Sequence, residues 1–233
     1  MRTAAAKDGL ALLTQTLVGR ALGDAHPGVR INALRLAEHR ATPGVIAAAV
    51  KLVTDADRKV LLQLACTLGE WREAAAGEAL GRLAVKNHAD KFIAAAVLSS
   101  ALPHCAALVD AIVASGGAAQ ATFREPLISL ALATDEREPL ARLLQPVLAS
   151  KSGGITAREM TMLSQFLDIL ARRKTSWRAL LNANESDALS ARLRSIPETF
   201  ASARRLGDDV NQPETLRIAA AGLLAREESF RDE

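Results

Sequence analysis

An all-α fold of stacked helical hairpins is what this sequence predicts, and three observations carry the prediction. No segment alternates apolar and polar residues with period two for long enough to argue for a strand. Apolar residues recur at helical spacing along most of the chain instead. One pattern is also written three times: a polar turn, a β-branched or aromatic anchor, then a helical run of small and branched apolar residues. It reads "HPGVRINALRLAE" from His26, "DRKVLLQLACTLGEW" from Asp57 and "HADKFIAAAVLSSAL" from His88.

Composition supports a continuous core. Of 233 residues, 49% are hydrophobic and only 3% aromatic, with no tyrosine. Ala, Leu and Val must therefore fill the interior, and small side chains let helices approach closely. A net charge of +3 names no partner.

Aligning Val29, Val60 and Phe92 gives spacings of 31 and 32 residues. In the first copy a helix is expected from Pro27 to His39, with Val29, Ala33, Leu34, Leu36 and Ala37 as its apolar face. Pro27 suits a first turn, where its missing N–H costs nothing. "RATPG" breaks the chain, with Thr42 as N-cap and Pro43 following it. "GVIAAAVKLV" then reads as a second helix buried on more than one side. The second copy continues through a turn near Arg72 into "AAAGEALGRLAV", and the third breaks at Pro103 before "CAALVDAIVAS". A lone pair of such helices cannot bury both apolar faces, whereas stacking neighbours can, which makes self-similarity at this period the signature of a solenoid. Ala33, Leu34, Leu36, Leu64, Leu68 and Val97 are its expected core.

Beyond Ser115 the pattern loosens. "SGGAAQAT" reads as a linker, followed by helices "FREPLISLALAT", "LARLLQPVLAS" and "AREMTMLSQFLDILARRK", a short one at "WRALLNA" and a long one from Asp187 to Leu206. Residues 1–233 are expected to form one solenoid, with an internal joint near 150–155 at "KSGGIT". Ile93 to Ser115 has the length of a membrane span, but Pro103-His104 divides it, so two buried helices joined by a turn are expected rather than a transmembrane segment.

The words "VRINALRLAE", "LQLACTLGEW" and "AAVLSS" resemble HEAT repeats. The run from Asp24 to Leu102 is similar, more narrowly, to the HEAT segment of large secreted planctomycete and verrucomicrobial proteins labelled membrane-bound dehydrogenases or haem-binding proteins. The resemblance implies an α-α superhelix, a periplasmic or secreted setting, and a parent chain carrying a propeller and a c-type cytochrome beside this segment. It makes this chain a non-catalytic scaffold or protein-interaction module, partnered by another protein or by neighbouring domains.

Chemistry-bearing patterns are sparse. Cys66 is followed by "TLGE" and Cys105 by "AALV", so neither opens a Cys-x-x-Cys-His haem motif. Both cysteines sit in apolar runs and read as small buried hydrophobes, with a disulfide or reactive thiol as the alternatives. His26, His39, His88 and His104 form no His-x-x-x-His pair, and His26 and His88 read as solvated turn residues. Ser99, Ser100 and Ser164 lie in helical runs, where a hydroxyl bonds the preceding turn. Asp135, Glu136 and Glu138 read as a solvated turn ahead of a helix. No catalytic, cofactor-binding or metal-binding residue is assigned.

The one charged cluster is "ARRKTSWRALL", in which Arg172, Arg173, Lys174 and Arg178 surround Trp177. It could finish a helix, meet an acidic protein or hold a phosphate backbone. The last option supports the alternative function, a HEAT-like DNA-binding protein or alkylated-base glycosylase with Trp71 or Trp177 in a positive groove. Finally, "PETLRIAAAGLLAREE" spreads Leu216, Ile218, Ala219, Ala220, Leu223 and Leu224 around more than one side of a helix. One side is expected to pack on the helix ending near Leu206. The other should stay uncovered here and lie beneath a following helix in a longer parent chain.

Overall fold

The computed structural model describes residues 15–39, 41–148 and 154–228. Helix is the only regular secondary structure among these residues. The chain divides into two compact units, Met1–Leu127 and Ile128–Glu233, whose boundary falls inside one helix. The joint expected near 150–155 falls largely on residues 149–153, outside the described residues.

In the first unit α1 is described over residues 15–21. It is followed by α2 (Pro27–Ala37), α3 (Pro43–Ala49) with a 3₁₀ extension Val50–Thr54, α4 (Arg58–Gly69), α5 (Ala74–Asn87) and α6 (Lys91–Ser99). A 3₁₀ turn at Leu102–His104 leads into α7 (Cys105–Ser115), and α8 (Gly117–Ala133) runs across the boundary between the units. Helix α2 packs on α4 and α4 on α6, while α5 packs on α7 and on the segment after α3.

Capping fixes where each repeated helix starts. His26 Nδ1 accepts the Gly28 N–H at 3.1 Å, so this histidine is a helix cap and not merely a solvated turn residue. Asp57 accepts from Lys59 and Val60, and Asp90 accepts from Phe92 and Ile93. Counting from these caps moves the third anchor by one residue. Ile93, 2% exposed, corresponds to Val60, whereas Phe92 is 64% exposed. The periods are then 31 and 33 residues, and three rungs follow: Val29/Val60/Ile93, Ala33/Leu64/Val97 and Ala37/Leu68/Ala101. Every member is buried except Val29. Leu36 was expected in this core and is 61% exposed, because it follows Ala33 by three residues on the outward side of the stripe.

Small residues set the spacing between helices. A Cβ on Gly69 would lie 2.5 Å from Ser100 Cβ, and one on Gly81 would lie 2.7 Å from Ala111 Cβ. Polar pairs secure the edges. Glu38 Oε1 accepts from Gln63 Nε2 at 2.9 Å and from the buried Thr67 hydroxyl at 3.0 Å, tying α2 to α4. Arg30 meets Asp55 through two nitrogens at 2.8 Å, and Arg58 pairs with Asp90.

The second unit contains the end of α8, then α9 (Arg137–Leu148), α10 (Ala157–Arg172), α11 (Trp177–Ala183), α12 (Ala188–Leu193), α13 (Ile196–Asp208) and α14 (Glu214–Glu228). Helix α9 packs on α12 and α10, and α14 packs on both α10 and α13. Thr156 and Glu159 form a reciprocal capping box that starts α10. Two expectations are corrected. "SGGAAQAT" is not a linker: only Gly116 separates α7 from α8, and both Gly116 and Gly117 take positive φ to turn the chain. The long helix from Asp187 to Leu206 is two helices, because Pro197 cannot donate the hydrogen bond that would continue α12 into α13.

No single helix among the described residues is long and apolar enough to cross a membrane, and the Ile93–Ser115 stretch bends by 78° at its break.

Two substitutions test the packing. Leu68 is fully buried, so Leu68→Asp should cost several kcal/mol, on the order of a domain's whole stability. An unchanged melting temperature would contradict the ladder. Gly69→Ala must push α6 away from α4 and should cost about 1–3 kcal/mol in chemical denaturation. A neutral or stabilising result would show that the two helices are not held at this distance.

Candidate functional site

Several residues singled out in the sequence have local structural roles. Cys105 is buried as expected, but Cys66 is exposed. It follows Leu62 by one helical turn on the outward face of α4, while Leu64 and Leu68 point inward. Partial burial of the sulfur, with the Glu38 and Glu70 carboxylates nearby, pushes the Cys66 thiol pKa up. It lacks the electropositive surroundings of a reactive thiolate.

His104 is 5% exposed, and its Nε2–H donates to the Leu68 carbonyl at 2.9 Å, closing the end of α4. His88 Nδ1–H donates to the Val85 carbonyl at 3.0 Å. No group of three or more His, Cys, Asp or Glu side chains suited to hold a metal occurs among the described residues. Ser99 and Ser164 hydroxyls donate to the Ala96 and Met160 carbonyls.

The basic cluster is built by the end of α10. Lys174 adopts φ 53°, and the Thr175 N–H reaches back to the Leu170 carbonyl at 3.1 Å, so the chain reverses there. Arg172, Arg173 and Lys174 lie exposed at the negative end of the helix dipole. Ser176 then caps α11 by accepting the Ala179 N–H at 3.1 Å. Trp177 is 7% exposed with the Arg178 guanidinium 4.9 Å from its ring centroid, and Trp71 is 2% exposed. Neither indole presents an open face on which a base could stack.

The densest polar cluster was not singled out in the sequence. Arg137, the first residue of α9, engages the Asp187 carboxylate. Its Nη2 donates to the Leu180 carbonyl at 3.0 Å, the Asn184 carbonyl at 3.3 Å and Ser190 Oγ at 3.2 Å. Asp187 also caps α12, accepting the Ser190 N–H at 2.8 Å. Hydrogen bonding from Arg137, followed by that from Ser190, brings the Asp187 pKa down to about 2. A carboxylate held ionised is a poor general acid, and the Ser190 hydroxyl is fully buried and donates to the Asn184 carbonyl. The cluster clamps three helix ends together. The only sequence hint was the arginine opening the helix after "DE", on the wrong side of the helix dipole unless a carboxylate meets it.

On α14, Ala220 and Leu223 are fully buried, Leu216 and Leu224 are half-buried, and Ile218 is 63% exposed. The expectation that only one side packs is corrected in part. Helix α10 covers a second side, held by Arg226 donating to Asp168 through two nitrogens at 2.7 Å. The third side lines an open depression of about 410 Å³ formed by Gly207, Asp208, Glu214, Arg217, Ile218, Ala221 and Leu224.

No protein-family model matches this chain, and neither a curated protein nor a solved structure matches it.

The clamp gives a test with a defined sign. A carboxylate whose folded pKa is about 2, below the usual value of roughly 3.9, adds stability above about pH 4 and loses it as pH falls toward 2. Arg137→Ala should raise the Asp187 pKa toward the ordinary value in an NMR titration. It should also cost about 3 kcal/mol near neutral pH. An unmoved Asp187 titration would refute the pairing.

Proposed function

We propose that this chain is a non-catalytic HEAT-like solenoid, a scaffold or protein-interaction module belonging to a larger multidomain redox protein of the kind it resembles. One observation carries the reading. The three rungs Val29/Val60/Ile93, Ala33/Leu64/Val97 and Ala37/Leu68/Ala101 repeat in register on the alternate helices α2, α4 and α6, the last member following the end of α6, and these helices pack on one another in order. Repetition of this kind lets each hairpin bury one face on its predecessor and the other on its successor. The polar residues of the described chain support the same reading, since caps, edge pairs and the Arg137 clamp account for its densest hydrogen bonding. The alternative, a DNA-binding or alkylated-base glycosylase-type protein, asks for an aromatic open to a base, and Trp71 and Trp177 are both buried.

Excising residues 58–90 tests the solenoid, because it joins Asp57 to Lys91 and lets one aspartate cap stand in for the other. A stack of quasi-independent repeats should survive as a shorter, cooperatively melting helical protein. An unfolded or molten product would contradict the reading. The intact chain should show no Soret band, no stoichiometric metal, and duplex DNA binding no tighter than about 10⁻⁴ M at physiological salt. Salt-sensitive micromolar binding lost on Arg172→Ala, Arg173→Ala and Lys174→Ala together would favour the DNA-binding alternative.

A further inference from the structure

We infer that the depression beside α14 is a docking groove for an amphipathic helix of a partner protein, one that carries a cation one turn from its apolar residues. The inference rests on the reading of the chain as an interaction module. Its floor is apolar and open. Ile218, Ala221 and Leu224 follow one another at helical spacing along the uncovered side of α14, and Ile218 is 63% exposed. Val210, in the loop joining α13 to α14, is 75% exposed, so the two large exposed apolar side chains among the described residues of the second unit lie on α14 and on the loop that leads into it. A depression of about 410 Å³ has room for two or three branched side chains, the anchors that a helix presents to a groove at i and i+3 or i+4.

Charge selects the occupant. Asp208 and Glu214 stand exposed among the residues lining the depression, and neither meets a cation in an ion pair among the described residues. Arg217, the cation of the lining, donates instead to the Gly207 carbonyl at 3.4 Å. Two open carboxylates beside an apolar floor favour a partner that brings lysine or arginine and penalise one that brings acid.

Asp208, Glu214 and Ile218 are exposed, which makes their substitution safe for the fold; an unchanged melting temperature checks this for each variant. The probes are two labelled, Ala-rich helical peptides with leucines at i and i+4, identical except for lysine or glutamate one turn away. Fluorescence anisotropy against the full chain should show the lysine peptide binding roughly tenfold tighter than the glutamate peptide. Asp208→Lys with Glu214→Lys should invert that preference, and Ile218→Glu should abolish binding of both. Three results would overturn the inference. One is equal affinity for the two peptides, and another is affinity indifferent to Ile218→Glu. The third is no binding of either peptide up to about 1 mM, including the case in which the chain self-associates and Ile218→Glu returns it to monomer. The excision of residues 58–90 leaves this groove untouched, so failure here and failure of the solenoid reading are separately visible.

Discussion

The contact on which the first unit depends is the one α4 makes with its neighbours on either side. Leu64 and Leu68 are fully buried, and they lie at the same cap-relative positions as Ala33 and Ala37 on α2, Val97 on α6 and Ala101 just past its end. Helices of 9 to 14 residues such as α2, α4, α5 and α6 are marginal alone in water. They persist because each lends its apolar stripe to the next. Close approach is bought with small residues, and Gly69 against Ser100 marks the tightest point. A chain with 3% aromatics has few large side chains to fill wider gaps, so it fills the space by bringing backbones together.

Charged residues in such a structure act mainly on helix ends. Asp57, Asp90 and Asp187 cap helices, and Arg58 and Arg137 pair with two of these caps. Arg58 hydrogen bonding lowers the Asp90 pKa as Arg137 does that of Asp187. Each pairing holds its carboxylate ionised further into the acid range.

Much of this was legible in the sequence, for physical reasons that differ by residue. Pro27 and Pro43 mark helix starts because a proline's missing N–H costs nothing in a first turn, a local matter that needs no tertiary context. The ladder was legible because its period is helical. Its register was not, because Phe92 and Ile93 are both apolar and only the Asp90 cap decides which of them faces α4. Leu36 and Cys66 were misplaced for a related reason: hydrophobic character alone does not say on which side of the stripe a residue falls. Arg137 escaped notice because its partners at Leu180, Asn184, Asp187 and Ser190 are more than forty positions away, and no local pattern announces them.

Native-state hydrogen exchange on the full chain tests the stacking account most directly. Helix α4 packs on α2, α5 and α6, and α5 packs on α4, α6 and α7, whereas α2 leans chiefly on α4. The account predicts that amides of α4 and α5 open together at the highest free energy of the first unit, with α2 opening earlier as a separate step. Equal protection of α2 and α4, lost in a single opening, would contradict a ladder built one repeat upon the next.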